Sequence, residues 1–245
     1  MEDKALLSTE EDSGAEKAEL LIVIPAYNEA ENIERVVNHL TANFPQYDYV
    51  VVNDGSRDET AAICQRNGYN LLNLPVNLGL AGAFQAGLKY ADKYGYQYAV
   101  QLDGDGQHRP EYLESMIKKM EEGYDIVIGS RFVGEKKPFT MRMLGSNLIE
   151  MAIRFTTGVN IKDPTSGMRM FSKRMIREFA SGLNYGPEPD TVSYLIRQGA
   201  RVAEVPVIMD ERILGVSYLT PVNAMRYMLK MLISILLIQN FRKRR

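Results

Sequence analysis

The chain has 245 residues, of which 45% are hydrophobic and 24% charged, an ordinary balance for a globular protein with one large core. Its formal net charge of -2 at pH 7 argues against general nucleic-acid binding. The single cysteine, Cys64, excludes an internal disulfide, which suits a reducing compartment.

The two ends of the chain differ in charge. Residues 1–18 are acidic and lack a hydrophobic pattern, which predicts a disordered, solvated tail. We also expect no secretory signal peptide, because this stretch contains no apolar run. Beyond Glu211 there is no acidic residue, and the last four residues, 242–245, are all basic.

Short apolar runs in the first half of the chain are typical of strands that are buried on both faces. They lie at residues 20–24, 49–52, 70–74, 98–102 and 125–129. Stretches with helical character separate them, beginning after residues 29, 56, 77 and 110. Strands that alternate with helices predict βαβ units, and therefore an α/β fold with a mainly parallel sheet flanked by helices.

The pattern changes after residue 130. A Met-, Leu- and Ile-rich stretch at residues 140–155 predicts a helix, and further elements are predicted at 168–171 (strand), 191–197 (helix) and 202–207 (strand). The last predicted element is a helix over residues 221–241. Its polar residues recur every three or four positions, which predicts one polar stripe on an apolar cylinder. They are Asn223, Arg226, Lys230 and Ser234.

Four turns follow successive predicted strands, at residues 25–29, 53–56, 75–79 and 103–107. The carboxyl ends of parallel strands share one edge of a sheet, where ligands bind, so these turns can line a single crevice.

The last of these turns carries the pair Asp103 and Asp105, separated by Gly104. Two carboxylates at this spacing repel each other unless a cation joins them. Mg²⁺ suits them, because it takes one or two carboxylates and fills its other positions with water and substrate phosphates. Gln107 can add an oxygen ligand or cap the following helix. The alternative is a polar surface turn of the common Asp-Gly type.

Other polar residues near the predicted edge have a functional and a plain interpretation. Asp54 can accept a hydrogen bond from a nucleobase or a ribose, or form an Asx turn. Arg131 and Arg212 can each clamp a phosphate bidentately, or lie in solvent. His108 is not expected to bind zinc, since His39 is the only other histidine and no thiolate cluster is present.

Three more carboxylates belong to the second half of the chain. Asp163 precedes Pro164 and can be a base or a residue behind the site. Glu188 and Asp190 can face an acceptor, or form the N-terminal cap region of the next helix.

Together these motifs resemble a family 2 glycosyltransferase of the GT-A (Rossmann-like) fold. The matching pieces cover roughly residues 20–217 and are Ile24-Pro25-Ala26-Tyr27-Asn28-Glu29, Asn53-Asp54-Gly55-Ser56, Asn77-Leu78-Gly79, Asp103-Gly104-Asp105, Gly129-Ser130-Arg131 and Asp163-Pro164-Thr165-Ser166-Gly167. The sequence from Asp103 to His108, and the later Arg212-x-x-Gly215-x-Ser217, resemble the polyprenyl-phosphate branch of that family. This branch includes dolichol-phosphate mannose synthase and bacterial undecaprenyl-phosphate glucosyltransferases.

The resemblance implies a catalytic domain over residues 19–218, with a nucleotide-sugar half (19–130) and an acceptor half (131–218). The residues implied to bind the nucleotide sugar are Pro25, Tyr27, Glu29, Asp54, Asn77, Gly79, Asp103 and Gly104. Asp103, Asp105 and Gln107 would hold Mg²⁺ or Mn²⁺ on the diphosphate.

The implied catalytic set consists of Asp105, Arg131, Asp163 and Arg212. The two arginines would bind the acceptor phosphate, and Asp163 would lie near the reacting centre. Two positions depart from the family pattern. Asn53 stands where a second Asp is frequent, and Tyr218 follows Ser217 in place of a small or basic residue.

The implied reaction is a single displacement that inverts the anomeric carbon. It would move a sugar from a nucleotide sugar (a UDP-hexose such as UDP-glucose, or GDP-mannose) to a polyprenyl phosphate. The alternative acceptor is a hydroxyl of a cell-surface polysaccharide or a lipid-linked glycan, which requires a general base such as Asp163, Glu188 or Asp190. A nucleotidyltransferase usually needs a Gly-rich loop where residues 25–29 stand, and the intact Asp pair argues against a nucleotide-sugar sensor.

The apolar run at residues 227–238 is too short, and too interrupted by Lys230 and Ser234, to span a membrane. Residues 219–245 are therefore predicted to form an amphipathic helix in the membrane interface, with the basic tail on anionic headgroups. Residues 140–155 can form a second such helix. The alternative is that both helices pack on the core or on another subunit, so a homo-oligomer is possible. We expect peripheral attachment at the cytoplasmic face of the plasma membrane.

Overall fold

A computed structural model describes residues 19–135, 137–138, 140–182, 186–210 and 221–241. Several predicted features lie outside these residues. They are the acidic tail (1–18), Arg212 with the motif that runs to Ser217, and the four basic residues at the end.

The described residues form one seven-stranded sheet in the order β3-β2-β1-β4-β6-β5-β7. All neighbouring strands are parallel except at β6, which pairs antiparallel with both β4 and β5. The strands are β1 (Leu20–Ala26), β2 (Asp48–Asp54), β3 (Leu71–Leu74), β4 (Tyr98–Gln101), β5 (Ile126–Ser130), β6 (Arg169–Ser172) and β7 (Val202–Pro206). The prediction of a mainly parallel sheet is confirmed.

Helices cover both faces of this sheet. They are α1 (Ile33–Asn43), α2 (Thr60–Arg66), α3 (Gly79–Lys93), α4 (Leu113–Glu121), α5 (Met141–Thr157), α6 (Lys173–Ala180), α7 (Pro189–Arg197) and α8 (Pro221–Leu236). Short 3₁₀ helices precede α4 (Pro110–Tyr112) and follow α8 (Ile238–Phe241). Helix α6 is an element that the sequence analysis did not predict.

The alternation of side chains along β1 explains the two layers of the core. Leu21 and Val23 point to one face, where they pack with residues of α3, α5, α6, α7 and α8. Leu20, Ile22 and Ile24 point to the other face, which α1, α2 and α4 cover. Because successive side chains of a strand alternate between faces, a continuous apolar run is required wherever both faces are covered.

Helix α5 is capped at both ends. The Thr140 hydroxyl accepts a hydrogen bond from the Met143 N–H at 3.2 Å, which caps the N-terminus. Gly158 ends the helix in the left-handed conformation, with a φ of 76°. The helix packs along α8, and a Cβ on Gly145 would lie 2.8 Å from the Met228 side chain, so glycine permits this close approach.

Helix α8 packs on the protein through one side. Met231 and Ile235 are buried in the core, whereas Met225 and Leu229 on the other side are exposed. The predicted polar stripe is wrong at Ser234, which is buried and donates to the Asp190 carboxylate at 2.6 Å. Over the described part of the chain, no helix combines the length and apolar character needed to cross a bilayer.

Candidate functional site

A cavity of about 820 Å³ opens at the carboxyl edge of the parallel strands, between that edge, the segment just before α7 and helix α8. Most of the predicted site residues line it, as the sheet-edge rule predicts. The lining residues that were predicted are Pro25, Tyr27, Glu29, Asp103, Gly104, Asp105, Gln107 and Arg131. Four other predicted residues, Asp54, Asn77, Gly79 and Asp163, do not line it.

The turns after β1 and β2 are joined to each other by hydrogen bonds. Asn28, which has a positive φ of 56°, donates its backbone N–H to the Ser56 hydroxyl at 3.0 Å. Its side-chain oxygen accepts from the Arg57 N–H at 2.9 Å, and Glu29 donates its N–H to the Thr60 hydroxyl at 2.9 Å. These bonds fix the wall of the cavity that carries Tyr27 and Glu29.

Asp54 connects the end of β2 to the start of α3. Its side chain is buried and accepts from the Leu78 N–H at 2.7 Å, while its carbonyl accepts from the Asn77 side chain at 3.1 Å. Gly55 has a φ of 64°, and a Cβ there would lie 2.7 Å from the Asn77 backbone, so only glycine fits. The two predicted motifs therefore form one unit beside the cavity.

The two carboxylates after β4 face the same cavity in different surroundings. The Asp103 side chain is 37% exposed and accepts from the Gln101 amide at 2.8 Å. Asp105 is 9% exposed, and its Oδ1 atom accepts from the Gln107 N–H at 3.0 Å. A Cβ on Gly104 would lie 3.2 Å from the Pro25 carbonyl, so this glycine lets the turn pack closely against the end of β1.

His108 closes the same turn from behind. Its Nδ1 atom accepts from the Asp103 N–H at 3.0 Å, so the neutral ring carries its proton on Nε2. The Nε2 atom lies 3.7 Å from Asp103 Oδ2, and the residue is buried. In this position His108 supports the backbone of the turn that carries the two carboxylates.

The donor set at this turn fits a hard divalent cation. Asp103, Asp105 and Gln107 offer only oxygen ligands, as Mg²⁺ and Mn²⁺ prefer. Across the described ranges, no group of three or more His, Cys, Asp or Glu side chains could enclose a metal. A cation held by two carboxylates keeps positions for substrate oxygens, which suits binding of a diphosphate.

Gln107 does not cap the following helix. Its side-chain amide donates to the Asp210 carbonyl at 3.1 Å, and its own carbonyl accepts from the Asp210 N–H at 2.9 Å. Arg109 also bonds to the Asp210 carboxylate, and this hydrogen bond holds the pKa of Asp210 below its usual range. Asp210 is thus tied to the turn of the Asp pair, a contact over about a hundred residues that no local motif signals.

Arg131 and Asp163 form a bidentate ion pair at the edge of the cavity. The guanidinium donates to the two carboxylate oxygens at 2.7 and 2.8 Å, and the Arg131 N–H donates as well at 3.1 Å. Asp163 is fully buried, while Arg131 is 24% exposed and lines the cavity. Asp163 therefore orients Arg131 and is not placed to take a proton from a bound substrate.

Glu188 and Asp190 connect α7 to α8. Glu188 lines the cavity and accepts a hydrogen bond from the Tyr227 hydroxyl. Burial and the neighbouring Glu188 carboxylate raise the pKa of Tyr227, so its hydroxyl keeps its proton. Asp190 does not line the cavity and accepts from Ser234 at 2.6 Å.

Arg169 is a cavity residue that the sequence analysis missed. It is 2% exposed and is the first residue of β6, an interior strand between β4 and β5. The signal was present in the sequence, because a charged residue interrupts the apolar run Met168-Arg169-Met170-Phe171. A charge inside a central strand is costly unless it has partners or a function.

The sequence profile of the family described as Glycosyl transferase family 2 matches residues 21–179. This chain belongs to that family. The match covers most of the catalytic domain that the motifs predicted, and it includes the turns that line the cavity.

Two characterised relatives are similar over most of their length. The polyprenol monophosphomannose synthase of Mycolicibacterium smegmatis is 32% identical over 223 residues, which are 86% of this chain and 84% of that protein. The undecaprenyl-phosphate mannosyltransferase of Micrococcus luteus is 31% identical over 210 residues, 81% of this chain and 86% of that protein. The predicted resemblance to the polyprenyl-phosphate branch is confirmed.

Solved structures show the same fold. The glucosyl-3-phosphoglycerate synthase of Mycobacterium tuberculosis in complex with Mn²⁺, UDP and glucosyl-3-phosphoglycerate aligns with a TM-score of 0.63 at 19% identity. The alignment covers 90% of this chain and 79% of that one. The GT-A fold is confirmed, and family membership makes the chain a glycosyltransferase, so the nucleotidyltransferase and sensor alternatives are not retained.

Proposed function

We propose that this enzyme transfers a hexose from a nucleotide sugar to a polyprenyl phosphate, with inversion at the anomeric carbon. The observation that carries the proposal is the arrangement of charge in one cavity. The carboxylates of Asp103 and Asp105 lie on one wall, and Arg131, held by the buried Asp163, lies on another. The names of the relatives support the same acceptor class.

On the donor side, the half formed by residues 19–130 holds the nucleotide sugar. Asp103, Asp105 and Gln107 would hold Mg²⁺ or Mn²⁺, which offsets the charge that grows on the leaving diphosphate as a Lewis acid. Pro25, Tyr27, Glu29 and Gly104 form the adjoining wall, and Asp54 with Asn77 and Gly79 recognises the base from beside it. Bound Mn²⁺ or Mg²⁺ together with UDP in the mycobacterial synthase supports a divalent cation as part of this proposal.

On the acceptor side, a lipid phosphate is already anionic near neutral pH. It needs positioning and charge compensation more than it needs deprotonation. Arg131 supplies the compensating positive charge. It also positions the phosphate, because Asp163 holds two of the guanidinium nitrogen atoms and so fixes the orientation of the group. Arg212 is proposed as a second phosphate-binding residue and lies outside the described residues.

A hydroxyl acceptor would require a general base within hydrogen-bond reach of the reacting oxygen. Among the three carboxylates considered for that role, Asp163 and Asp190 do not line the cavity. Glu188 does line the cavity, but its carboxylate already accepts a hydrogen bond from the Tyr227 hydroxyl. This geometry favours the phosphate acceptor over the hydroxyl acceptor.

The test is an incubation of the purified protein with Mn²⁺, undecaprenyl phosphate and radiolabelled GDP-mannose or UDP-hexoses, followed by organic extraction. We expect lipid-phase label from one donor, with mannose the first sugar to try because both relatives are named for it. Omission of Mn²⁺ and Mg²⁺ should abolish the label. If no donor labels the lipid although nucleotide sugar binds, the acceptor assignment is wrong.

We further propose that α5 and α8 attach the enzyme to an anionic membrane surface at the cytoplasmic face. Their outer sides expose large apolar side chains next to the cations Arg154, Arg226 and Lys230. The apolar residues of this docking face include Leu148, Met151, Phe155, Met225, Leu229 and Ile233. Apolar area beside exposed cations is the pattern of an interfacial helix.

Replacing Leu229 by glutamate is expected to weaken binding to phosphatidylglycerol vesicles by roughly tenfold or more, because one apolar contact is lost and a like charge is added. Val76→Glu is the matched control, since Val76 is equally exposed (57% against 59%) but lies on neither helix. Vesicle flotation measures both. If Leu229→Glu floats like the wild type, the docking face is wrong, and size-exclusion chromatography would then test a subunit contact.

A further inference from the structure

Two nitrogen atoms of Arg169 have no hydrogen-bond partner in the described part of the chain, although the side chain is almost completely buried. Its Nη2 atom donates to the Pro164 carbonyl at 2.6 Å. Its Nε and Nη1 atoms have no hydrogen-bond acceptor among the described residues, and the residue lines the cavity. Buried polar groups in native proteins are nearly always paired, so the N–H groups of these two nitrogen atoms point to a ligand.

The charges around Arg169 indicate which class of ligand. Its positive charge is balanced at a distance by Glu188, Asp163 and Asp190, and burial lowers its pKa. Asp163 is already neutralised by Arg131. Of the other two carboxylates only Glu188 lines the cavity, so it matches the charge of Arg169 there and no excess positive charge is left to favour a phosphate at this position.

A sugar ring fits this mixture of groups better than a phosphate does. Each hydroxyl both donates and accepts, and neighbouring hydroxyls can bind an N–H group and a carboxylate side by side. Arg169 offers the donors and Glu188 the acceptor, and both line the same cavity. Hydrogen bonds to charged groups are stronger than those between neutral groups, so such a pair can select one sugar over another.

We propose that Arg169 and Glu188 form the subsite that reads the hydroxyls of the donor sugar. Arg169 donates to a hydroxyl oxygen of the sugar, and Glu188 accepts from a hydroxyl hydrogen. Tyr227 is a positioning residue, because its hydroxyl donates to Glu188 and fixes the carboxylate. The inference rests on the proposed function and adds to it the part of the site that recognises the sugar.

The contact between Tyr227 and Glu188 also makes α8 part of the site. Tyr227 reaches Glu188 from the inner side of the helix, whose outer side carries the proposed docking face. Seven residues further along α8, Ser234 makes a parallel contact with Asp190 but does not line the cavity. Ser234 is therefore a matched control for Tyr227 on the same helix.

The experiment compares the affinity for nucleotide sugars with the affinity for the bare nucleotides. Calorimetry on the full chain with Mn²⁺ gives dissociation constants for GDP-mannose and UDP-glucose, and for GDP and UDP. Arg169→Met and Glu188→Gln are expected to weaken nucleotide-sugar binding by roughly 10- to 100-fold, while binding of the matching diphosphate stays within about twofold. Tyr227→Phe should give a smaller loss of the same kind, and Ser234→Ala should give none.

Two outcomes overturn this inference while leaving the proposed function intact. In the first, Tyr227→Phe and Glu188→Gln keep the wild-type ratio of nucleotide-sugar affinity to nucleotide affinity. These two variants test the subsite even if Arg169→Met does not fold. In the second, Arg169→Met raises the KM for undecaprenyl phosphate but keeps the wild-type ratio of nucleotide-sugar affinity to nucleotide affinity. Arg169 would then bind the acceptor and not the donor sugar. A wild-type protein that binds no nucleotide sugar would overturn the proposed function and this inference together.

Discussion

Replacing Asp105 by asparagine is expected to lower kcat/KM for sugar transfer by roughly 10²- to 10³-fold, the usual loss when one group that stabilises developing charge is removed. Asparagine keeps the shape of the side chain and an oxygen that can accept from the Gln107 N–H, so the turn should persist. What is lost is half of the carboxylate pair that we propose as the site of the cation on the leaving diphosphate.

Asp92→Asn is the matched control for this variant. Asp92 is also an aspartate, but it lies on α3, does not line the cavity, and is paired with Arg177 at 3.9 Å. We expect Asp92→Asn to have wild-type activity. For Asp105→Asn, we expect addition of Mn²⁺ to raise the activity less than it does in the wild type. Near-normal turnover in Asp105→Asn, at low Mn²⁺ concentration, would remove Asp105 from the metal site.

Replacing Arg131 by methionine is expected to abolish transfer and to reduce the free energy of unfolding by about 3–5 kcal/mol, because it leaves a fully buried charge unpaired. Asp163 has 0% exposure, so water cannot compensate for the lost guanidinium. Since domains of this kind are stable by only about 5–15 kcal/mol, urea denaturation should show a large shift of the midpoint.

The double variant Arg131→Met/Asp163→Asn separates the structural role of the pair from its role in the reaction. Removing both charges should restore much of the stability, since a neutral amide is easier to bury than an unpaired carboxylate. Transfer should stay lost, because Arg131 is the member of the pair that lines the cavity. Recovery of activity together with stability would show that Arg131 acts only on the fold.

The alternation of strands and helices was predictable because a strand covered on both faces must be apolar throughout. Residues 20–24 show this most clearly, and they lie in β1, an interior strand between β2 and β4. The antiparallel direction of β6 was not predictable, because strand direction depends on how the chain crosses the sheet. Helix α6 begins at Lys173, directly after Ser172, which still pairs with Tyr98 of β4, so no turn sequence separates the strand from the helix.

The position of the cavity was predictable from the turns after β1, β4 and β5, since the ends of parallel strands meet at one edge. The partners of the side chains were not. Arg131 with Asp163, Gln107 with Asp210, and Glu188 with Tyr227 are pairs separated by 32, 103 and 39 residues. No local spacing encodes such contacts. The sequence therefore did not reveal that Asp163, which was expected near the reacting centre, pairs with Arg131 and lies behind it.

Transfer to a polyprenyl phosphate is tested most directly by identifying the chemical bond between the sugar and the lipid in the product. Lipid product labelled in the sugar would be extracted and treated with mild acid, because a glycosyl phosphate is far more acid-labile than a glycoside. We predict that the label is released from the lipid as free sugar. Label that survives mild acid would show a glycosidic bond to a hydroxyl, and it would contradict transfer to a polyprenyl phosphate.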